Sequence, residues 1–173
     1  MTRPTRFIGP ALGALALAAC ASTNTVQVWR DPNYVPVPLH RIMVVGMIDD
    51  AEVRVTFENA IAQALVSRGF EVATSSATFP PGQFSEAGLV AYVKAQHADL
   101  VLFLHLTSFS AATADQPGVA TSQSEAFAGK AYPGPTIWNG ASTTRNFFTF
   151  QEAATPLATS IVTALAKADI LVR

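Results

Sequence analysis

The side chains with most chemistry to offer are one cysteine, three histidines and a pair of adjacent aspartates. Cys20 is the only thiol in 173 residues, and it closes an apolar run from Phe7 to Ala19. A single sulfur makes no intrachain disulfide and no multi-thiolate metal site. His40, His97 and His105 are far apart, and none belongs to a His-x-x-x-His pair of metal-ligand spacing. Gly118 and Gly129-Lys130 lack the spacing of a phosphate-cradling loop. Neither a Gly-x-Ser-x-Gly elbow nor a Ser-x-x-Lys nucleophile pattern occurs. No catalytic residue, cofactor or metal ligand is therefore assigned.

One constellation remains, and it depends on the elements that would position it. Arg41 to Ile48 is a nearly continuous apolar run, which reads as a strand covered on both faces. Asp49 can cap a following helix with Glu52 as its capping-box partner. That helix puts Val53, Phe57, Ile61, Ala64 and Leu65 on one face, sends Arg54, Glu58 and Arg68 largely elsewhere, and stops at Gly69. Phe70 to Thr74 reads as a second strand, and Phe79 to Gly82 as a loop. Ser85 caps a second helix to about Gln96, and Ala98 to Leu104 forms a third, central strand.

Strand–helix–strand–helix–strand predicts a parallel core. Ligands of open α/β sheets gather beyond the carboxyl ends of such strands. There the sequence puts Asp49 and Asp50, Ser75 and Ser76, and His105 with Thr107 and Ser108. A histidine beside two carboxylates could do acid–base work or hold a small polar ligand. The same residues serve equally as helix caps, a turn and a satisfied strand end. Position in a fold is only an associational warrant.

The remaining chain changes character. Ala111 to Pro135 is rich in Ala, Ser, Thr, Gly and Pro. A structureless loop of that length is unusual in a compact domain, so a long hairpin is expected. Its outer strand is placed near Glu125–Tyr132, and its return at Thr136 to about Thr144. Asn146 to Phe150 should pack under a last helix with Leu157, Ile161, Ala164, Leu165 and Ala168 buried. Thr155-Pro156 is the expected cap and first turn, with a start near Glu152 as the alternative. The fold class is thus α/β: a single domain with a mixed sheet of about five strands and three helices.

At the N-terminus, Arg3 and Arg6 precede the apolar run, which is too short for a bilayer-spanning helix of about 20 residues. A basic head, a short apolar core and small residues before a cut describe a secretory signal. Leu17-Ala18-Ala19-Cys20 resembles the lipobox of bacterial lipoproteins. The resemblance implies cleavage before Cys20, a diacylglyceryl group on its sulfur and acylation of its new amine. Three acyl chains would hold the protein where one holds only marginally. Ala21-Ser22 lacks the aspartate of the enterobacterial inner-membrane retention signal. The resemblance therefore implies the inner leaflet of the outer membrane, facing the periplasm.

Residues 1–19 are thus a signal peptide, 20–39 a lipidated tether and extended lead-in, and 40–173 a periplasmic domain. Within the lead-in, Ala21 to Thr25 read as a tether and Val26 to Trp29 as a short edge strand or a packed segment. Without the signal, 9 basic and 12 acidic residues remain. That mild acidity argues against nucleic acid as a partner. Half of the residues are apolar and 13% are charged, which excludes disorder as the default.

The Trp29-Arg30-Asp31-Pro32 run resembles small uncharacterised proteobacterial envelope lipoproteins. The element order of residues 40–170 is similar to domains of curli-secretion and penicillin-binding-protein-activator lipoproteins. No signature residue carries that second likeness, so no site or partner follows from it. The expectation is a membrane-anchored, non-enzymatic interaction domain with an envelope protein as partner. The alternative is a small-ligand binder or hydrolase using Asp49, Asp50 and His105.

Overall fold

The computed structural model describes residues 21–79, 83–110 and 112–173. The expected signal peptide and lipidation at Cys20, and the Pro80–Gly82 part of the expected loop, lie outside them. Strands are β1 (Ser22–Arg30), β2 (Arg41–Met47), β3 (Glu71–Thr74), β4 (Leu100–Ser110), β5 (Gly118–Ala128) and β6 (Thr136–Phe147). Helices are α1 (Ala51–Val66), α2 (Ser75–Thr78), α3 (Glu86–Ala95) and α4 (Phe150–Lys167), with a 3₁₀ turn at Gly129–Ala131. One mixed sheet runs β1-β6-β5-β4-β2-β3. β2 is parallel to β3 and β4, and the pairs β4–β5, β5–β6 and β6–β1 are antiparallel. The class is the expected α/β, with six strands and four helices in place of five and three.

Apolar side chains divide between the two faces of this sheet. Ile42, Val44, Leu100, Leu102 and Leu104 join Phe57, Ile61 and Leu65 of α1 and Leu157, Ile161 and Leu165 of α4 in the larger cluster. Met43, Val45 and Val101 point the other way, against Leu89 and Val93 of α3. The period of two in an extended chain makes this split, and burial on both sides explains the unbroken apolar runs of β2 and β4. α3 packs on this face together with Phe127 of β5 and with Tyr132, which follows the 3₁₀ turn. The antiparallel half has α4 on one face, against β6 and β1.

Several boundaries differ from expectation, each for a physical reason. Asp50, not Asp49, caps α1, accepting the N–H groups of Glu52 at 2.9 Å and Val53 at 3.0 Å. α1 ends at Val66 with Ser67 as its cap, ahead of Gly69, whose φ of +87° carries the turn that follows. α4 begins at Phe150, so Pro156 sits inside the helix instead of opening it. There Thr149 Oγ1 accepts the Glu152 N–H at 3.2 Å, while the Glu152 carboxylate accepts the Phe148 N–H at 2.7 Å. This reciprocal cap stabilises the earlier start and offsets the hydrogen bond that Pro156 cannot donate.

The expected outer strand at 125–132 is instead β5, an inner strand that starts at Gly118 and gives way to the 3₁₀ turn at Gly129. Its core-facing residues are Ala120, Ser122, Ser124 and Ala126, so it shows no hydrophobic alternation. Bulk on that face comes from Trp138 and Phe147 of β6. Finally, β1 starts at Ser22, which makes most of the segment read as a tether part of a nine-residue edge strand.

Candidate functional site

The carboxyl ends of β2 and β3 are organised by Glu58, which the sequence reading placed off the buried face of α1. The structure corrects this: its side chain is fully buried. Glu58 Oε1 accepts the Gly46 N–H at 2.7 Å and the Ser75 hydroxyl, and Oε2 accepts the Ser76 N–H at 2.8 Å. A buried carboxyl is tolerated only with such partners. Residue 46 must be glycine for the approach: a Cβ there would stand 2.9 Å from Arg54 Cγ and 3.0 Å from Glu58 Oε1. The arrangement clamps α1 onto β2 and onto the start of α2. Its acceptors are engaged, so it is a structural junction. The signal was present in the spacing, since Ile61 and Leu65 follow Glu58 by three and seven residues.

The residues of the expected ligand rim fall around this junction without converging. Asp49 is exposed, and Asp50 is exposed and spent on the α1 cap. Ser75 and Ser76 serve Glu58. His105 is half-buried on β4, opposite Met47 of β2, with its ring stacked on Phe103 at 6.4 Å. Phe103 belongs to the α3 face, whereas α1 lies on the other. The sheet therefore separates His105 from the helix that Asp50 caps. Ser108 hydrogen-bonds Thr121 across β4–β5, and Thr107 is exposed.

A different group converges at the opposite end, where the parallel strands begin. An open cavity of about 620 Å³ is lined by His40, Arg41, Glu71, Lys94, His97 and Asp99 among others. Asp99 Oδ2 accepts the N–H groups of His40 at 2.7 Å and Arg41 at 3.0 Å. Partial burial pushes the Asp99 carboxyl up. The Arg41 and His40 N–H donors, helped by the charges of His40 and Lys130, outweigh it and hold the carboxyl below its ordinary value. Arg41 pairs with Glu71 at 2.8 Å and donates to the Gln96 carbonyl at 2.5 Å. The sequence kept His40 and His97 apart; the fold brings both to one cavity. Among the described residues, no group of three or more His, Cys, Asp or Glu side chains could hold a metal ion.

The third feature is a surface. On the face opposite α4, β5 and β6 present Thr121, Gln123, Glu125, Asn139 and Thr143, and β1 adds Trp29, paired with Asn139 and 44% exposed. Among the described residues β1 is also the long free edge of the sheet, whereas the other edge, β3, has only four residues. Long unpaired edges are where other chains add strands. β1 carries no proline and one bulge, between Thr25 and Gln27.

Fold and surface together define a mixed α/β domain with an open antiparallel half and a free edge strand. Neither a protein-family model nor a curated protein matches the chain. Among solved structures it is similar to the PelC dodecamer of Paraburkholderia phytofirmans. A single-substitution variant of PelC aligns at a TM-score of 0.59 with 16% identity, over 81% of this chain and 98% of that one. A second PelC structure gives 0.58 and 14%, over 80% and 98%. A lipoprotein of Neisseria meningitidis, GNA1162, aligns at 0.45 with 17% identity, over 74% of this chain and 99% of that one. At these identities the likeness is one of fold.

Proposed function

We propose that this chain is a lipid-anchored envelope protein whose α/β domain is a non-enzymatic interaction module with an adaptor or assembly role. The observation that carries the reading is β1: a nine-residue free edge strand that begins two residues after the lipobox cysteine. Lipidation at Cys20 would confine that edge to a membrane surface and raise its effective concentration for anything held there. The expected address is the inner leaflet of the outer membrane, facing the periplasm. The partner class is an envelope protein or further copies of this chain; self-assembly finds support in PelC, a dodecamer of related fold. No observation favours a ligand-binding or hydrolytic role for Asp49, Asp50 and His105.

The test is in-cell photocrosslinking from Trp29 and from Thr113 in the β4–β5 turn, followed by mass spectrometry of the adducts. A discrete partner, or an adduct of the chain with itself, that is lost when Thr25→Pro blocks the β1 edge would support the module. No adduct from either position would sink it.

A further inference from the structure

We infer that one end of the sheet rests on the membrane: the end bearing Phe109, Val119 and Phe148 lies in the headgroup–acyl boundary of the leaflet that holds Cys20. The inference rests on the lipoprotein reading and adds an orientation to it. Ser22 pairs with Arg145, Arg145 with Val119, and Val119 with Ser110. These four residues form one row across β1, β6, β5 and β4. Cys20 precedes Ser22 by two residues, so at most about 7 Å of chain separates their Cα atoms. Neighbouring strands lie about 4.8 Å apart, so the whole row falls within about 20 Å of the anchor.

Three large apolar side chains are exposed where this row ends. Phe148 is 56% exposed, and Phe109 and Val119 are each 37% exposed. Phe109 packs its ring on Phe147 at 5.6 Å and on Phe150 at 4.9 Å, so its side of this end is backed by a rigid aromatic cluster, while Val119, next to the core-facing Ala120, leaves by the other face of the sheet. The turn between β4 and β5 is closed by a Thr113 N–H bond to the Gln116 carbonyl at 2.8 Å, and it projects from the same end. The charged neighbours are Arg145, Asp115 and Glu152. This balance gives no cationic attraction, so the occupant is the apolar boundary of a zwitterionic leaflet and not an anionic headgroup cluster. Trp29, at the far end of β1, and Val35 and Val37 beyond it are also exposed and stay in water.

The single native cysteine makes the test clean, because lipidation consumes its sulfur and leaves an introduced thiol as the only free one. Full-length lipidated protein carrying Val119→Cys or Val35→Cys is labelled with an environment-sensitive dye. It is then reconstituted in phosphatidylcholine–phosphatidylethanolamine vesicles containing shallow nitroxide lipid. The expected result is quenching several-fold stronger at Val119→Cys than at Val35→Cys, reduced when Phe148→Ser is added. The Val119→Cys reading stands even where that added variant folds poorly. Equal, weak quenching at both sites in protein shown by mass spectrometry to be acylated would overturn the orientation and leave the anchor intact. So would a Val119 label shielded by contact with protein, including a second copy. Mature protein without acyl mass would overturn the anchor and the orientation with it.

Discussion

Replacing Glu58 by alanine tests the junction at the strand ends directly. The substitution strands the Gly46 N–H, the Ser76 N–H and the Ser75 hydroxyl, all now bonded to its carboxyl. A buried donor left without a partner costs about 1–3 kcal/mol. Gly46 counts in full because it is buried, Ser76 is half-buried and counts less, and the Ser75 hydroxyl can rotate. With the space left by the side chain, the loss comes to about 4 kcal/mol, a large part of the 5–15 kcal/mol that holds a typical domain together. Glu58→Gln keeps the shape but turns one acceptor into a donor facing an N–H, and should cost about 2 kcal/mol. Ser75→Ala removes one donor and leaves Glu58 two, at about 1 kcal/mol. The assay is urea unfolding followed by circular dichroism at pH 7, on protein beginning at Ala21. If Glu58→Ala shifts stability by less than 1 kcal/mol, or Glu58→Gln matches wild type, the clamp does not exist as described.

Three further outcomes follow from the same geometry. A methyl group at Gly129 would run into the Ala98 carbonyl, a backbone atom with no freedom to yield, so Gly129→Ala should lose about 3 kcal/mol by urea unfolding. Thr149→Ala removes the α4 cap and should cost about 1 kcal/mol, seen as a Tm lower by about 2–4 °C in calorimetry. Asp99→Ala should cost about 1–2 kcal/mol at pH 7 through the lost His40 and Arg41 bonds. Because the folded carboxyl titrates below its unfolded value of about 3.9, its contribution is complete above that value and lost as pH falls through the folded one. The gap between wild type and Asp99→Ala should therefore hold from pH 7 to about 4 and narrow only below; narrowing between pH 7 and 5 would contradict the assignment.

Legibility followed the type of force involved. Burial on both faces leaves an unbroken apolar run, so β2, β4 and the stripe of α1 were readable. β5 was not, because Ala120, Ser122, Ser124 and Ala126 are core residues without bulk, made so by the large side chains of β6. At α4, the Thr149/Glu152 cap was hidden behind a stronger local signal, Thr155-Pro156. Candidate sites read less well than elements. The Asp49, Asp50 and His105 rim assumed that residues at one end of a sheet meet, whereas side chains at adjacent strand ends can leave by opposite faces. Glu58 was passed over because a charged residue beside Phe57 looks solvated; its donors come from two distant segments, around Gly46 and around Ser75.

The polarity of the sheet ties these features into one arrangement. β1 begins beside the lipobox cysteine and rises about 3.4 Å per residue, so Trp29 stands some 24 Å from the anchored end. β2 and β4 begin at that far end and β5 finishes there; the row of Trp29 runs through Asn139 and Glu125 to Phe103, so the cavity holding His40, His97 and Asp99 lies about four residues further from the anchored end. The anchor proposed at Cys20 would therefore sort the surface by height. On that proposal the apolar end with Phe148 would meet lipid, the edge of β1 would span the middle, and Trp29 and the cavity would face whatever lies beyond the leaflet. A partner embedded in the membrane must approach along the edge; one that is free in solution meets the far end. A partner seated along the edge also reaches Trp29 at its far end, so its Trp29 adduct should be lost with Thr25→Pro, whereas one that meets the far end alone should keep it.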